Sequence, residues 1–488
     1  MAKNRNDVFV FAPAFSREEE GDILFDGVRI HRVFLPPDRG IRFSDSYLDA
    51  TVDFQFAKYV SEVKPDVAMV WHTIGLSAGI LEVLSQVTVP YAVFLTDFHY
   101  LCHLTHLLTA DMKPCDGPAD GTKCANCILT TVPRRLLEGE TCDAAELGRR
   151  RVSRMRELLQ AASAIVAPSS FVKEKYVEFG LEKEGVMVIP PGVDVRVIKR
   201  RHKTVRSDKL RFGYLGGNYE LRGISLVLDA FNFIADSTVE LVIAGQGMER
   251  LLYTPVPRNT TIVGGYLPDR VGEVLSKIDV LVDPSRCHES YNLVIREAFA
   301  AKIPVIVSDL RAQSDAIREG IDGLHFKAGD VSDLASKMRL LKDRRTILVK
   351  LRRGIHNVPE VDRQAAKFEK LLRELVRRRK THAVDGFGTM LERVDHMQVE
   401  LERTRLNNEL SLKAEEVAHL KKRLEDTQIE LNGIKRSLGY KFIRFYGRKI
   451  DRLFPDTTYC GKIKLAVMQR LGARESTLPV ERISEKAS

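Results

Sequence analysis

Short unbroken apolar runs, each followed by a stretch with helical spacing, recur in two series along this chain. That repetition narrows the folds open to it. In the first half the runs fall at residues 8–12, 67–71, 91–95 and 164–167, with a weaker one at 187–189 before Pro190-Pro191-Gly192. They are continuous and β-branched, as strands buried on both faces of a parallel sheet are. Residues 76–85 and 145–162 carry helical spacing between them. A basic linker at 199–209 closes this series, and the second has runs at 211–215, 240–244, 261–263, 279–282 and 304–307. Strands alternating with helices predict a doubly wound α/β domain, and two series predict two such Rossmann-like domains facing a cleft. Ligands of open α/β sheets bind beyond the carboxyl ends of strands. Gly216, Gly245-Gln246-Gly247 and Glu289 each follow such an end.

At 488 residues the chain is too long for one core and suits two domains plus an appendage. The appendage is legible from about Thr381. Met390, Val394, Met397 and Leu401 keep coiled-coil spacing, and a second register runs from Leu406 through Leu420 and Leu424 to Leu438. This predicts a coiled coil over 381–436 with one register break, and through it a homo-oligomer. Residues 437–488 form a basic tail. Between 437 and 471 it holds Lys441, Arg444, Arg448, Lys449, Arg452, Lys462, Lys464 and Arg470 against Asp451 and Asp456, so much of the +10 net charge is local. With Phe442, Phe445, Leu453 and Phe454 among the cations, the tail reads as an amphipathic helix on an anionic membrane surface, or as one packed on the protein itself. Nothing else in the chain supports nucleic-acid binding. No run of eighteen uncharged apolar residues and no signal-peptide pattern is present, which predicts a cytoplasmic protein peripheral to the inner face of the membrane.

The segment at 283–309 is the most telling about chemistry. Glu289 and Glu297 are separated by seven residues, with a helix start between them. One carboxylate then sits in the loop before the helix and the other on its first turns. The backbone N–H groups of Asn292, Leu293 and Val294 stay free at the helix N-terminus, where unpaired donors and the helix dipole favour phosphate. Carboxylates for hydroxyls beside amides for phosphate suit a nucleotide sugar.

This segment resembles the E-x7-E signature of the family 4 retaining glycosyltransferases of the GT-B fold, and the resemblance extends over roughly residues 7–345. It implies a first domain at 1–198 on the acceptor side, a nucleotide-sugar domain at 199–345, and a helical return at 346–380. It implies retaining transfer from a nucleotide-diphosphate sugar to a saccharide or lipid-linked acceptor, in assembly of a cell-surface polysaccharide. Glu289 would then orient the transferred sugar and Glu297 the ribose. In the loop Gly216-Gly217-Asn218-Tyr219-Glu220-Leu221-Arg222-Gly223, Arg222 takes the place of the family's lysine on the diphosphate, while Gly217 stands where its arginine belongs. Arg311 reads as a surface residue sooner than as the missing cation. Asp97 matches an acceptor-side aspartate, Thr96 replaces the neighbouring histidine, and His72 is a second acceptor-side candidate. The family's opening strand, glycine-rich loop and helix have no counterpart ahead of 8–12. These departures leave a second reading open: a non-catalytic nucleotide-sugar-binding scaffold that oligomerises through its coiled coil.

No metal is expected for catalysis, because no carboxylate cluster suits Mg²⁺. Cys102, Cys115, Cys124 and Cys127 form a cysteine-rich loop over 102–127 with one C-x2-C pair. They read either as a structural zinc site, closed to catalysis by its four thiolates, or as unliganded thiols.

Overall fold

The computed structural model describes residues 6–36, 42–202, 207–217, 220–379, 410, 413–414, 416–430 and 432. The chain forms two compact units, Met1–Val399 and Glu400–Ser488.

The first unit begins with a three-stranded sheet of β1 (Val8–Ala14), β2 (Gly21–Phe25) and β3 (Val28–Phe34), in the order β1-β3-β2. β1 runs parallel to β3, and β2 and β3 form an antiparallel hairpin. Its two-residue turn is Asp26-Gly27, both left-handed at φ +48° and +78°, which matches the twist of paired strands. A four-stranded parallel sheet follows: β4 (Ala68–Val70), β5 (Tyr91–Phe94), β6 (Ala164–Ala167) and β7 (Val186–Val188), paired in chain order. The expectation of one doubly wound sheet containing 8–12 as a buried strand is therefore corrected. β1 and β4 lie in different sheets, each with one strand partner among the described residues, and Val10 of β1 is 36% exposed. The apolar run at 8–12 is covered on one side by the Ala50–Val63 helix, where Phe56 meets Phe11.

The second domain holds six parallel strands, β8 (Leu210–Leu215), β9 (Val239–Ala244), β10 (Thr260–Gly264), β11 (Val280–Asp283), β12 (Val305–Ser308) and β13 (Gly323–Phe326). Their order is β10-β9-β8-β11-β12-β13, the doubly wound order with a reversal between β8 and β11. Every residue of β8 is buried, Arg211 included. Arg211 places Nε and Nη2 each 3.0 Å from an oxygen of Asp279, at the foot of β11. β13 escaped the sequence reading because its four residues, Gly-Leu-His-Phe, are too few and too mixed to stand out.

The helix Val361–Arg379 packs against the first domain. The Val193 N–H donates to the Pro359 carbonyl at 3.0 Å, and Gln364 Oε1 accepts from the Gly192 N–H at 3.0 Å. Phe368 is buried with Phe94, Val166 and Ile189, so the return helix completes the first domain's core beside the cleft.

In the second unit, residues 416–430 are helical and exposed, with Val417, Leu420 and Leu424 on their surface. The rest of the expected coiled coil and the whole basic tail lie outside the described residues.

Candidate functional site

At the reversal between β8 and β11 the two strand ends carry the loops that build the site. The β8 loop turns at Gly223 (φ +68°), where a Cβ would lie on the Pro284 carbonyl oxygen, so only glycine lets it approach the β11 loop this closely. That approach brings Arg222 to Glu289, and the two side chains form an ion pair. Glu289 is buried, takes a second hydrogen bond from Ser285 Oγ at 3.1 Å, and lines a cavity of about 540 Å³ with Arg222, Gly216 and Gly217.

The helix Leu293–Ala300 points its N-terminus into the same cavity, lined there by Asn292, Leu293 and Val294. Asn292 is the cap, in a left-handed conformation at φ +48°. Its Oδ1 accepts from the Ile295 N–H at 3.3 Å, and its Nδ2 donates to Asp283. The amides of Leu293 and Val294 lie in the first turn of this helix, ahead of its first intrahelical bond. Asp283 went unremarked in the sequence beyond closing a strand. It is half-buried, and desolvation pushes its carboxyl up to about 6, against the opposing effects of Ser285, Arg222 and Asn292.

Glu297 follows Leu293 by one helical turn but does not line the cavity. It sits next to Tyr266, its carboxyl takes no hydrogen bond or ion pair among the described residues, and burial alone pushes it up to about 7. Arg311 is committed elsewhere, to Glu174 and Asp315 at 3.1 Å each. Arg222 is thus the one cation lining this cavity among the described residues.

The first domain meets the cavity with Trp71, Phe94, Thr96 and Pro168. Trp71 follows β4, is 46% exposed, and packs at a tilt on Phe94 and edge-on to Phe368 of the return helix, with centroids 4.9 and 5.2 Å away. The sequence reading took Trp71 only as a strand end; a lone tryptophan at the carboxyl end of a strand was the signal available. The two domains touch directly where Ser169 Oγ donates to the Ser290 carbonyl at 2.7 Å.

His72 and Asp97 come together, although neither lines the cavity. His72 Nε2 lies 2.9 Å from Asp97 Oδ2, while its Nδ1 accepts from the Ile74 N–H at 2.8 Å, so Nε2 carries the proton and donates. Asp97 Oδ1 accepts from the His99 N–H at 2.7 Å. Both residues are occupied with holding the turn after β5.

The four cysteines of the 102–127 loop are half-buried thiols. Burial, and then Cys102, Cys115 and Cys127, push the Cys124 thiol up to about 11. No three ligating groups among the described residues are arranged to hold a metal ion as the side chains stand.

Two family models match the chain, glycosyl transferase 4-like domain over residues 1–192 and glycosyl transferases group 1 over residues 209–343. A D-inositol 3-phosphate glycosyltransferase of Geodermatophilus obscurus is 26% identical over 225 residues, which cover 41% of this chain and 50% of that protein. The chain spans about half the length of the curated relatives it matches. Among solved structures, sucrose-phosphate synthase from Thermosynechococcus elongatus superposes with a TM-score of 0.56 at 16% identity, over 77% of this chain and 90% of that one. The Anabaena protein HepE, solved in complex with UDP, gives 0.51 at 11% identity, over 76% and 100%. These likenesses establish the shared two-domain fold. With both of its domains matched in order by glycosyltransferase models, the chain has the two-domain GT-B glycosyltransferase fold.

Proposed function

We propose that this chain transfers a sugar, with retention, from a nucleotide-diphosphate sugar to a saccharide or lipid-linked acceptor in cell-surface polysaccharide assembly. The observation that carries the reading is the Arg222–Glu289 ion pair beside the open N-terminus of the Leu293–Ala300 helix. The diphosphate would seat on the Leu293 and Val294 amides and draw Arg222 away from Glu289. The freed carboxylate then accepts from hydroxyls of the donor sugar. Arg222 offsets the charge that grows on the departing diphosphate, an interaction stronger in the transition state than in the ground state. Glu297 would take the ribose hydroxyls, which supply the partner it lacks. Trp71 offers a flat apolar face for the acceptor across the cavity.

A thermal-shift series with UDP, GDP and ADP tests the donor site, UDP first because a protein of the same fold is solved with it. A ligand at one hundred times its dissociation constant adds about 2.7 kcal/mol of stability. A shift with one nucleotide, lost in Glu297→Ala, supports the assignment, and the anomeric configuration of the product by NMR tests retention. Binding without transfer to any acceptor would favour the scaffold reading, to which Arg222's standing as the one cation among the described residues of the cavity lends weight.

The same reading extends to the C-terminal segments. The exposed Val417, Leu420 and Leu424 keep the spacing of a seam for a second copy, and the tail would hold the protein on the inner face of an anionic membrane. Light scattering of the full chain and of a chain ending at 380 tests the first. Sedimentation with phosphatidylglycerol vesicles, with and without 437–488, tests the second.

A further inference from the structure

Just past β11 one buried hydroxyl stands between two carboxyl groups. Ser285 is 0% exposed, and its Oγ lies 3.0 Å from Asp283 Oδ1 and 3.1 Å from Glu289 Oε1. Ser308 Oγ, at the end of β12, donates to the Ser285 carbonyl at 2.9 Å and fixes the residue between them. A serine hydroxyl has one hydrogen to give. Two ionised carboxylates would therefore leave one oxygen facing Ser285 Oγ with no hydrogen between them. Where two carboxyls share a place in this way, one of them keeps its proton.

The surroundings decide which one. Glu289 has Arg222 as its counter-charge, on the same Oε1 that faces Ser285. Asp283 has no ion pair of its own among the described residues. The titratable groups that face it are Arg222, already paired, Glu289 across Ser285, the Tyr214 phenol of β8 and the Cys287 thiol of its own loop. Tyr214 gives its hydrogen to the Gly217 carbonyl at 3.0 Å. Burial raises both that phenol and the Cys287 thiol, so both are neutral. The other oxygen of Asp283, Oδ2, accepts from Asn292 Nδ2, and Asn292 Oδ1 caps the helix Leu293–Ala300. Oδ1 is thus where a proton on Asp283 would sit.

We infer that Asp283 is a positioning residue that works as a neutral acid: its Oδ1–H donates to Ser285 Oγ, and the Ser285 hydroxyl donates to Glu289 Oε1. Each hydrogen then has one acceptor, in a chain that runs from the cap of the helix through Asp283 and Ser285 to Glu289. The chain fixes the Glu289 carboxylate and the Asn292 cap relative to each other. Desolvation by itself favours this state. The Ser285 hydrogen lowers the Asp283 carboxyl only where Asp283 receives it; given to Glu289, it leaves that carboxyl higher still. The bearing on transfer rests on the donor-site reading above. Asp283 lines the same cavity as Arg222, and as a neutral acid it adds no negative charge where a diphosphate would seat.

The test is urea unfolding of the full chain as a function of pH, wild type against Asp283→Asn. An unfolded aspartate releases its proton near 3.8, whereas folded Asp283 keeps it to about 6 or beyond. The stability it contributes is full below 3.8 and lost as pH rises through the folded titration, while the amide has no such dependence. Between 3.8 and about 6 the wild-type unfolding constant should rise, relative to that of Asp283→Asn, by close to about tenfold per pH unit, the slope of one proton. A ratio that stays level or falls makes Asp283 an ordinary carboxylate and overturns the inference. A second measurement needs no variant at Asp283: infrared spectroscopy with carbon-13 at the aspartate side-chain carboxyls, at about pH 5, where unperturbed aspartates are ionised. A carboxylic-acid C=O band that moves in Ser285→Ala is expected, beside one from Asp53 (raised by burial to about 7) that stays in place. No acid band that responds to Ser285→Ala overturns the chain of donors. Neither readout requires a nucleotide or an acceptor, so failure here is distinguishable from failure of the transfer reading.

Discussion

The second domain carries its six strands in one sheet and meets the cleft with charge, whereas the first divides its seven strands between two sheets and meets it with aromatic rings. Their buried arginines differ in the same way. Arg211 has Asp279 in a two-point pair, while Arg151 has a carbonyl, a phenol ring and thiols. A doubly wound sheet brings loops from two neighbouring strands together at its reversal, and this is where the donor-side groups collect. The first domain instead spends its polar groups on its own turns, as His72 and Asp97 do. Where a side chain is already satisfied by its neighbours, it shapes the site; where it is left open, it can bind.

Several substitutions would break or sharpen this contrast. The largest effect is expected for Glu289→Gln, which should lower transfer about 10²–10³-fold in an initial-rate assay. UDP affinity should hold or improve in that variant, because Arg222 is released; weaker UDP binding would show that the ion pair does not compete with the donor. Asp279→Ala should destabilise the protein by about 3 kcal/mol in urea unfolding by stranding Arg211. A loss below about 1 kcal/mol would mean that Arg211 finds another partner.

Arg222→Met should weaken UDP about tenfold by calorimetry, the scale of one charge-assisted hydrogen bond. The pH dependence of Glu297 is expected to be gentler. Burial raises its carboxyl from 4.5 to about 7, so the folded chain keeps a proton that the unfolded chain has released. Its contribution to stability is therefore full below pH 4.5 and lost as pH rises toward 7. UDP affinity should move the other way, rising severalfold through pH 7 as the carboxylate forms, and Glu297→Gln should flatten both curves. The smallest effect on the donor side is expected for Trp71→Ala: UDP binding unchanged, and KM for a saccharide acceptor raised several-fold at most. Trp71 is the sole tryptophan, so its fluorescence reports acceptor binding directly.

Much of this was legible before the structure. Ten of the strands announce themselves as continuous apolar runs, β7 more weakly than the rest, and the Glu289–Glu297 spacing predicts the loop, the helix start and the open amides. The hairpin of β2 and β3 was missed although Asp26-Gly27 marks its turn, because the apolar run of β2 is only three residues long, β3 is interrupted by charged and polar residues, and both bury little. The placement of β1 was misjudged for a related reason: an apolar run shows that a strand has a covered face, not which strands flank it.

By itself, then, the sequence determined the two α/β series, the strand ends where chemistry gathers, and the order of carboxylate, amides and carboxylate around one helix start. These are local matters of periodicity and spacing. Only the tertiary structure decided that Arg222 pairs with Glu289 while Arg311 turns to Glu174, that His72 and Asp97 satisfy each other, that Trp71 faces the donor loops, and that Arg151 is buried among thiols. Each depends on residues far apart in the chain, whose charge and hydrogen-bonding capacity are settled by which neighbours the packed strands deliver.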